Sequence, residues 1–510
     1  MLSGKALPIL ILLAFSVFLT KNVKANIDYN DNCKKAYEYV LSFNFDKVDS
    51  ILQVEKRKHP DNSVVETIKS SSSFLRYINS NRKEDLKLYY SDYETAIDKI
   101  DQESDGSPYK LYFLADLYLH SAFVNAMQSN FFTSIVHFKK AYNSIKENKK
   151  KFPKFVLNDK SLGLINIAIG SIPKSYNWTL TILNLKGNSK LGNTQLEQFL
   201  TNCIQKKEYN YLFVESVVLY SFTHNSFASK NDTNNILSSI YHDPHYTNLY
   251  KNNQSFAYSK AAYFQHLKQN DNTLKTLRSI QNEFLQNKYK LYYLDYMLGE
   301  CLLFKNDNTS ITYFDRYISD YPGENYLKSA TYKKSWAYLL EGDIDSYKAE
   351  LGKIDDIGVT FFDSDKQAQK AANENITPNV EILRSRLLFD GGYYEKADSV
   401  LQQAYKNGHI KTEHDKLEYI YRQARIYDEM GKHKVAEAYY KMAIKKGSEL
   451  PYYFAANSAL NLAFYYEENG QLEKAKTMYQ LCLDLDFDEY QNSITQKAKN
   501  GISRIEACQE

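Results

Sequence analysis

The stretch FYYEENGQLEKAKTMYQLCL, residues 464–483, sets Gly470, Ala475, Tyr479 and Cys482 five, four and three residues apart. Thirty-nine residues earlier the spacing returns as Gly431, Ala436, Tyr440 and Ala443, inside YRQARIYDEMGKHKVAEAYYKMAI. Another thirty-nine residues back it is Gly392, Ala397, Leu401 and Ala404, inside SRLLFDGGYYEKADSVLQQAY. A second amphipathic stretch precedes each glycine. Leu462, Ala463 and Tyr466 stand ahead of Gly470, and Ala424 and Tyr427 hold the matching places ahead of Gly431. Apolar residues three and four apart share one face of a helix. A glycine between two such stretches ends the first helix and lets the chain turn. Small residues are needed where the two helices touch, and the aromatic fills the space between successive hairpins. The sequence therefore predicts an all-α fold, an α-α superhelix of stacked helical hairpins.

The residue types resemble the tetratricopeptide repeat, a helix–turn–helix unit of 34 residues. Here the period is longer, and the extra residues fall in the connections KKGSELPYY and KNGHIKTEHDK. The stretch YKKSWAYLLEGDIDSYKAEL keeps Trp336, Tyr338 and Gly342 in register but places Tyr347 where alanine is expected. Upstream only the second-helix pattern persists: Ser310, Phe314, Tyr317 and Pro322; Val48, Leu52 and Pro60; Ser134, Phe138 and Ala141; Thr273, Leu277 and Ile280. These read as degenerate copies of the same unit.

Residues 162–200 break the rhythm. Ile172, Pro173, Leu185, Gly187 and Gly192 resemble the central segment of the inclusion-body-clearance-type repeat proteins, which implies a helical repeat protein without known catalysis. YPGENYLKSATYKKSWAYLLEGD, DSDKQAQKA and PNVEILRSRLLFDGGYYEKA are similar to large exported tetratricopeptide proteins of Bacteroidota-type bacteria. That likeness implies the fold and a periplasmic location. The expected organisation is a signal peptide at 1–25, degenerate repeats at 26–150, a divergent helical segment at 151–235, degenerate repeats at 236–377 and a repeat array at 378–510.

Composition agrees with helices. Gly and Pro number 18 and 9 among 510 residues, about 5% against roughly 12% in average usage, too few for the turns of a sandwich or barrel. The first residues carry a basic MLSGK, an apolar ALPILILLAFSVFL and the small-residue site VKA ending at Ala25, the three-part pattern of a secretory signal. No cysteine follows directly, so no lipid anchor is expected, nor stable membrane insertion after cleavage. The chain has 64 basic and 61 acidic residues. Loss of Lys5, Lys21 and Lys24 with the signal leaves the two signs balanced, which argues against nucleic acid. Five cysteines at 33, 203, 301, 482 and 508 are too few and too scattered for a disulfide framework, and Cys482 sits in a small-residue slot.

No catalytic constellation emerges, and no cofactor or metal is expected. His242 and His245 in YHDPHY flank Asp243, but Pro244 makes the stretch a turn. The acidic residues lie at helical spacing with lysines, as on solvated faces. Binding is the expected function, by a protein or peptide partner. The first helix of each hairpin commonly lines the concave side of such an array. Counting back from the turn glycines puts Asn379, Arg386, Glu418, Tyr421, Arg425, Asn457, Asn461 and Phe464 on that wet face, with Arg386, Tyr421 and Arg425 near its centre. Arginine can grip a carboxylate with two parallel bonds, and amides can pair with an extended backbone. The lysine-and-asparagine clamp of chaperone-binding tetratricopeptide domains is not reproduced, so that partner is not implied. The alternative is a carbohydrate-binding or polysaccharide-processing component. That reading wants exposed tryptophans, whereas Trp178 and Trp336 both stand in apolar stretches where burial is expected.

Overall fold

The computed structural model describes residues 27–172, 177–227, 235–280 and 288–509. The expected signal segment and Pro173 lie outside them, as do the side chains of Trp178 and Cys508. Among the described residues there are twenty-six α-helices and no strand. Two compact units divide the chain. The first takes residues up to Tyr263 together with Lys275–Tyr293, and the second takes Phe264–Leu274 and the residues from Leu294 onward.

The early helices are α1 (Asp31–Leu41), α2 (Phe45–Lys58), α3 (Val64–Ser80), α4 (Lys83–Asp101), α5 (Pro108–Met127) and α6 (Phe131–Lys151). They pack as the neighbouring pairs α1–α2, α3–α4 and α5–α6. Local chemistry sets their starts. Asn30 caps α1 by accepting from the Cys33 amide at 3.2 Å, and Ser107 caps α5 with Pro108 in its first turn. Helix α3 is buried on most sides, and its run Ser70–Ser73 lets neighbours approach closely. The chain continues through α7 (Asn158–Gly170), α8 (Asn177–Ile182), α9 (Ser189–Gln205), α10 (Phe213–Phe227), α11 (Asn235–His242) and α12 (Pro244–Leu249). In this divergent segment α7 packs against α9. A Cβ on Gly192 would lie 2.6 Å from the Gly163 carbonyl, so two glycines let these backbones meet.

Next come α13 (Gln254–His266), α14 (Asn270–Ser279), α15 (Tyr293–Leu303), α16 (Ser310–Asp320), α17 (Leu327–Leu340), α18 (Ile344–Leu351) and α19 (Asp363–Glu374). The C-terminal array is α20 (Val380–Asp390), α21 (Tyr394–Lys406), α22 (Glu413–Glu429), α23 (His433–Gly447), α24 (Phe454–Glu468) and α25 (Leu472–Asp484), followed by α26 (Gln491–Gln509). Its hairpins are α20–α21, α22–α23 and α24–α25, and α22 touches both α20 and α24. The repeat positions fall in the core. Ala397, Leu401, Ala404, Ala436, Tyr440, Ala443, Ala475, Tyr479 and Cys482 are all buried. So is Tyr347, which fills the expected alanine slot.

One turn unites the recognisable and the degenerate hairpins. Gly342, Gly392, Gly431 and Gly470 have φ of 82°, 83°, 73° and 70°. In each case the next amide donates to the carbonyl five residues back, as Gln471 does to Tyr466 at 2.8 Å and Lys432 to Tyr427 at 2.8 Å. This is the hydrogen bond of a left-handed helix C-terminus. Upstream the same turn is made without glycine. Phe43, Ser129, Lys268 and Asn306 have φ of 59°, 60°, 54° and 57°, and Asn44, Asn130, Gln269 and Asp307 donate to Tyr39, Asn125, Phe264 and Leu302.

Candidate functional site

The face that α20, α22 and α24 share in the second unit carries a connected polar network built on Tyr421. Its ring is only 1% exposed, and it packs edge-on to Tyr453 with centroids 5.7 Å apart. Its hydroxyl accepts from Asn457 Nδ2 at 2.7 Å and from Arg425 Nη1 at 3.0 Å. Asn461 Nδ2 in turn donates to the Asn457 carbonyl at 2.6 Å. Residues 421, 425, 457 and 461 meet because a four-residue step returns to the same face one turn along. Phe464, a turn beyond Asn461, is half-buried edge-on to Tyr479 at 5.7 Å.

Three guanidiniums converge here. Arg425 lies over the Phe389 ring at 5.1 Å, and its Nε is buried with no hydrogen-bond partner. Arg422 is buried and grips Glu418 through both Nε and Nη2, at 3.1 and 2.8 Å. It also donates to the Tyr453 hydroxyl at 3.4 Å. Arg386, half-buried, lies over the Trp336 ring at 5.4 Å, and among the described residues its only ion pair is a loose 3.9 Å contact with Asp390. The Arg422 charge faces Arg386 unfavourably. Burial pushes the Tyr453 and Tyr440 hydroxyls well above the usual phenol range, so both are neutral at pH 7. Glu418 and Asp390 are the carboxylates that face Arg422, and Asp428 accepts from the Tyr440 hydroxyl at 3.1 Å.

Several expected residues occupy different roles from those read in the sequence. Asn379 caps α20, accepting from the Glu381 amide at 3.1 Å and donating to the His409 carbonyl at 2.9 Å, so its amide is engaged by its own chain. Glu418 is held by Arg422. Tyr421 does not stand on a wet face. The ring is core and only the hydroxyl joins the network, so an alanine there would open a cavity worth about 3–5 kcal/mol. Arg386, Arg425, Asn457, Asn461 and Phe464 remain partly accessible. Sequence reasoning missed Arg422, whose i,i+4 spacing from Glu418 was the available signal. It also missed Trp336 and Tyr453 as the rings that bound the arginines. Trp336 is buried and offers no stacking surface for a sugar.

Other polar groups are engaged within the fold. Asp243 caps α12 by accepting from the His245 amide at 2.8 Å. Among the described residues, Asp28, Glu55 and His59 bring their ligand atoms together, but the Glu55 oxygens already accept from Asn30, Asn32 and Asn62 at 2.7, 2.9 and 3.0 Å. A cleft of about 470 Å³ between α16, α17 and α18 is lined by Asp315, Lys334, Glu350 and Lys353. There Lys334 pairs with Asp315 at 2.6 Å and with Glu350 at 2.9 Å, and Lys353 also pairs with Glu350.

Residues 293–323 match the tetratricopeptide repeat family. That span covers α15 and α16, where Ser310, Phe314 and Tyr317 lie buried in the expected second-helix register. No curated protein matches the chain. The matched span is one hairpin of tetratricopeptide type set in an all-helical architecture of neighbouring pairs, and repeats of that type typically mediate protein interactions. Among the described residues no helix is long and apolar enough to cross a membrane.

Proposed function

We propose that this chain is an exported, non-enzymatic scaffold that binds a protein or peptide along the face of α20, α22 and α24, in the periplasm or outside the cell. The observation that carries the reading is the pairing state of the arginines. Arg422 is spent on Glu418, whereas among the described residues Arg386 has only its loose 3.9 Å contact and Arg425 has a buried Nε without a partner. A carboxylate or backbone carbonyl laid along the face would pair with the half-buried Arg386. Asn457 and Asn461, one turn apart on the neighbouring helix, would meet the next peptide groups. The rings of Trp336, Phe389 and Tyr453 hold the guanidiniums in place, which lowers the entropy lost on binding. The export part of the proposal rests on the MLSGK–VKA pattern.

A display library of random peptides panned against the full chain tests the reading. Wild-type protein should enrich sequences with a carboxylate at a fixed position, and an Arg386→Glu protein should fail to enrich them. Identical enriched sequences from both proteins would refute it.

A further inference from the structure

The connection between α25 and α26, residues 485–490, fastens the end of the array to an earlier helix of the same unit. Glu489 pairs with Lys370 of α19 at 3.2 Å, across 119 positions in sequence and past the six helices α20 to α25. The next side chain, Tyr490, packs edge-on to Tyr453 with centroids 4.9 Å apart. That is the ring that packs against Tyr421 and accepts from Arg422. Tyr490 is also within electrostatic reach of Arg386. Glu489, Tyr490 and Arg386 all reach Tyr332 of α17 in the same sense, and the Tyr332 ring packs edge-on to Trp336 at 4.7 Å. The connection is thus a strap laid against the rings and guanidiniums of the α20–α22–α24 face.

The base and the tip of the strap are held differently. Phe487 is buried in the core shared by the last two hairpins, and the Asp488 amide donates to the Pro451 carbonyl at 3.1 Å. The tip has weaker ties. The Lys370 and Glu489 side chains are 43% and 36% exposed, and an ion pair so open to water contributes little. Lys370 is also shared with Glu374 at 3.6 Å on its own helix. Tyr490 is 39% exposed and sits at φ 57°, a conformation that a bulky residue rarely adopts. The chemistry of the strap is one-sided: LDLDFDEYQ, residues 483–491, has four acidic residues and no basic one, with an aromatic directly after the last acid. It offers the face a carboxylate for Lys370 and a ring for Tyr453.

We propose that Glu489 and Tyr490 stand in for the partner. The segment this face binds presents an acidic residue followed directly by an aromatic one, and it enters by displacing the tip of the strap. The inference rests on the peptide-binding reading of the α20–α22–α24 face and narrows its ligand. A face that holds an acidic–aromatic pair of its own chain holds one from another chain by the same contacts. The internal pair reduces the apparent affinity by the fraction of time it occupies the face. Its exposed ion pair and single ring contact make that occupancy easy to reverse, while Phe487 keeps the base of the strap in place.

Fluorescence anisotropy with a labelled peptide DLDFDEYQ, the sequence of residues 484–491, tests the proposal on the full chain. A Glu489→Gln, Tyr490→Ser protein should bind this peptide at least about fivefold tighter than wild type, the weight of one exposed ion pair and one ring contact. Adding Lys370→Gln to that protein should take the gain back. A control peptide with Gln and Ser in place of its Glu–Tyr pair should bind both proteins equally weakly. Both replaced side chains are partly exposed, so the melting curve should stay nearly unchanged. The proposal is overturned if the peptide binds wild type and the double variant equally, or if the control peptide shares the gain. It is also overturned if the double variant melts lower without binding tighter, because the connection is then a structural brace. Such a result, with Arg386→Glu still abolishing enrichment in the library panning, removes the strap and leaves the peptide-binding reading standing. Panning unchanged by Arg386→Glu removes that reading itself.

Discussion

The left-handed turn shared by eight of the hairpins can be perturbed in opposite directions at two sites. At Gly431 the backbone has φ +73° and a Cβ would meet nothing within 4 Å. Alanine there is opposed by backbone strain alone. A non-glycine residue in the left-handed region costs about 1–2 kcal/mol, and the reduced freedom of the unfolded chain returns about 0.4–1 kcal/mol. The net expectation for Gly431→Ala is a loss of about 1 kcal/mol. Ser129 makes the same turn at φ 60° with an exposed side chain. The terms reverse in Ser129→Gly, which should gain a few tenths of a kcal/mol up to about 1. Units of this size shift by about 2–4 °C per kcal/mol, so calorimetry should resolve a drop of a few degrees for Gly431→Ala and a smaller rise for Ser129→Gly. If both substitutions destabilise equally, the two hairpins do not share one turn and the uniform repeat architecture is refuted.

Other consequences follow from burial. Ala475→Leu should overpack the α24–α25 contact and cost about 1–3 kcal/mol, whereas Lys474→Leu, at an exposed neighbour, should change stability by less than about 0.5 kcal/mol; urea melts compare them directly. Gly299→Ala sets helix propensity, worth about 1 kcal/mol in favour of alanine, against a Cβ 2.7 Å from the fully buried Phe314 ring. The clash should win by about 1 kcal/mol or more, read by the same melts. Cys33, Cys203 and Cys482 are buried and unbridged, with burial pushing each thiol up to about 12, so iodoacetamide at pH 8 should label them only after unfolding. Burial against Phe74 lowers His120 from 6.5 to about 4. The unfolded chain then takes up this proton first, and stability should fall by up to about 3 kcal/mol as pH drops from 6.5 to 4, a loss that His120→Phe should reduce.

The sequence made the fold legible where glycine occupied the left-handed turn position, at 342, 392, 431 and 470. Where Phe43, Ser129, Lys268 and Asn306 took that place, the conformation persisted but its usual marker was gone, and only the buried second-helix positions remained to be read. The candidate site was legible in part, because a four-residue register puts 421, 425, 457 and 461 together whatever their identities. Register could not say how deep each side chain sits. Tyr421 is core because Tyr453 and Phe454 of the next hairpin close over it, and that contact joins residues more than thirty positions apart. Trp336 reaches Arg386 across a still longer separation, which no local spacing encodes.

The most direct test of peptide binding on the α20–α22–α24 face is a calorimetric titration of a library-selected peptide into wild-type and Arg386→Ala protein. Arg386 is half-buried with one loose ion pair, so its truncation should leave the melting temperature nearly unchanged. The account predicts a rise in Kd of at least about tenfold, the weight of one charge-assisted hydrogen bond. An unchanged Kd for that peptide would contradict it and place the contact surface elsewhere on the chain.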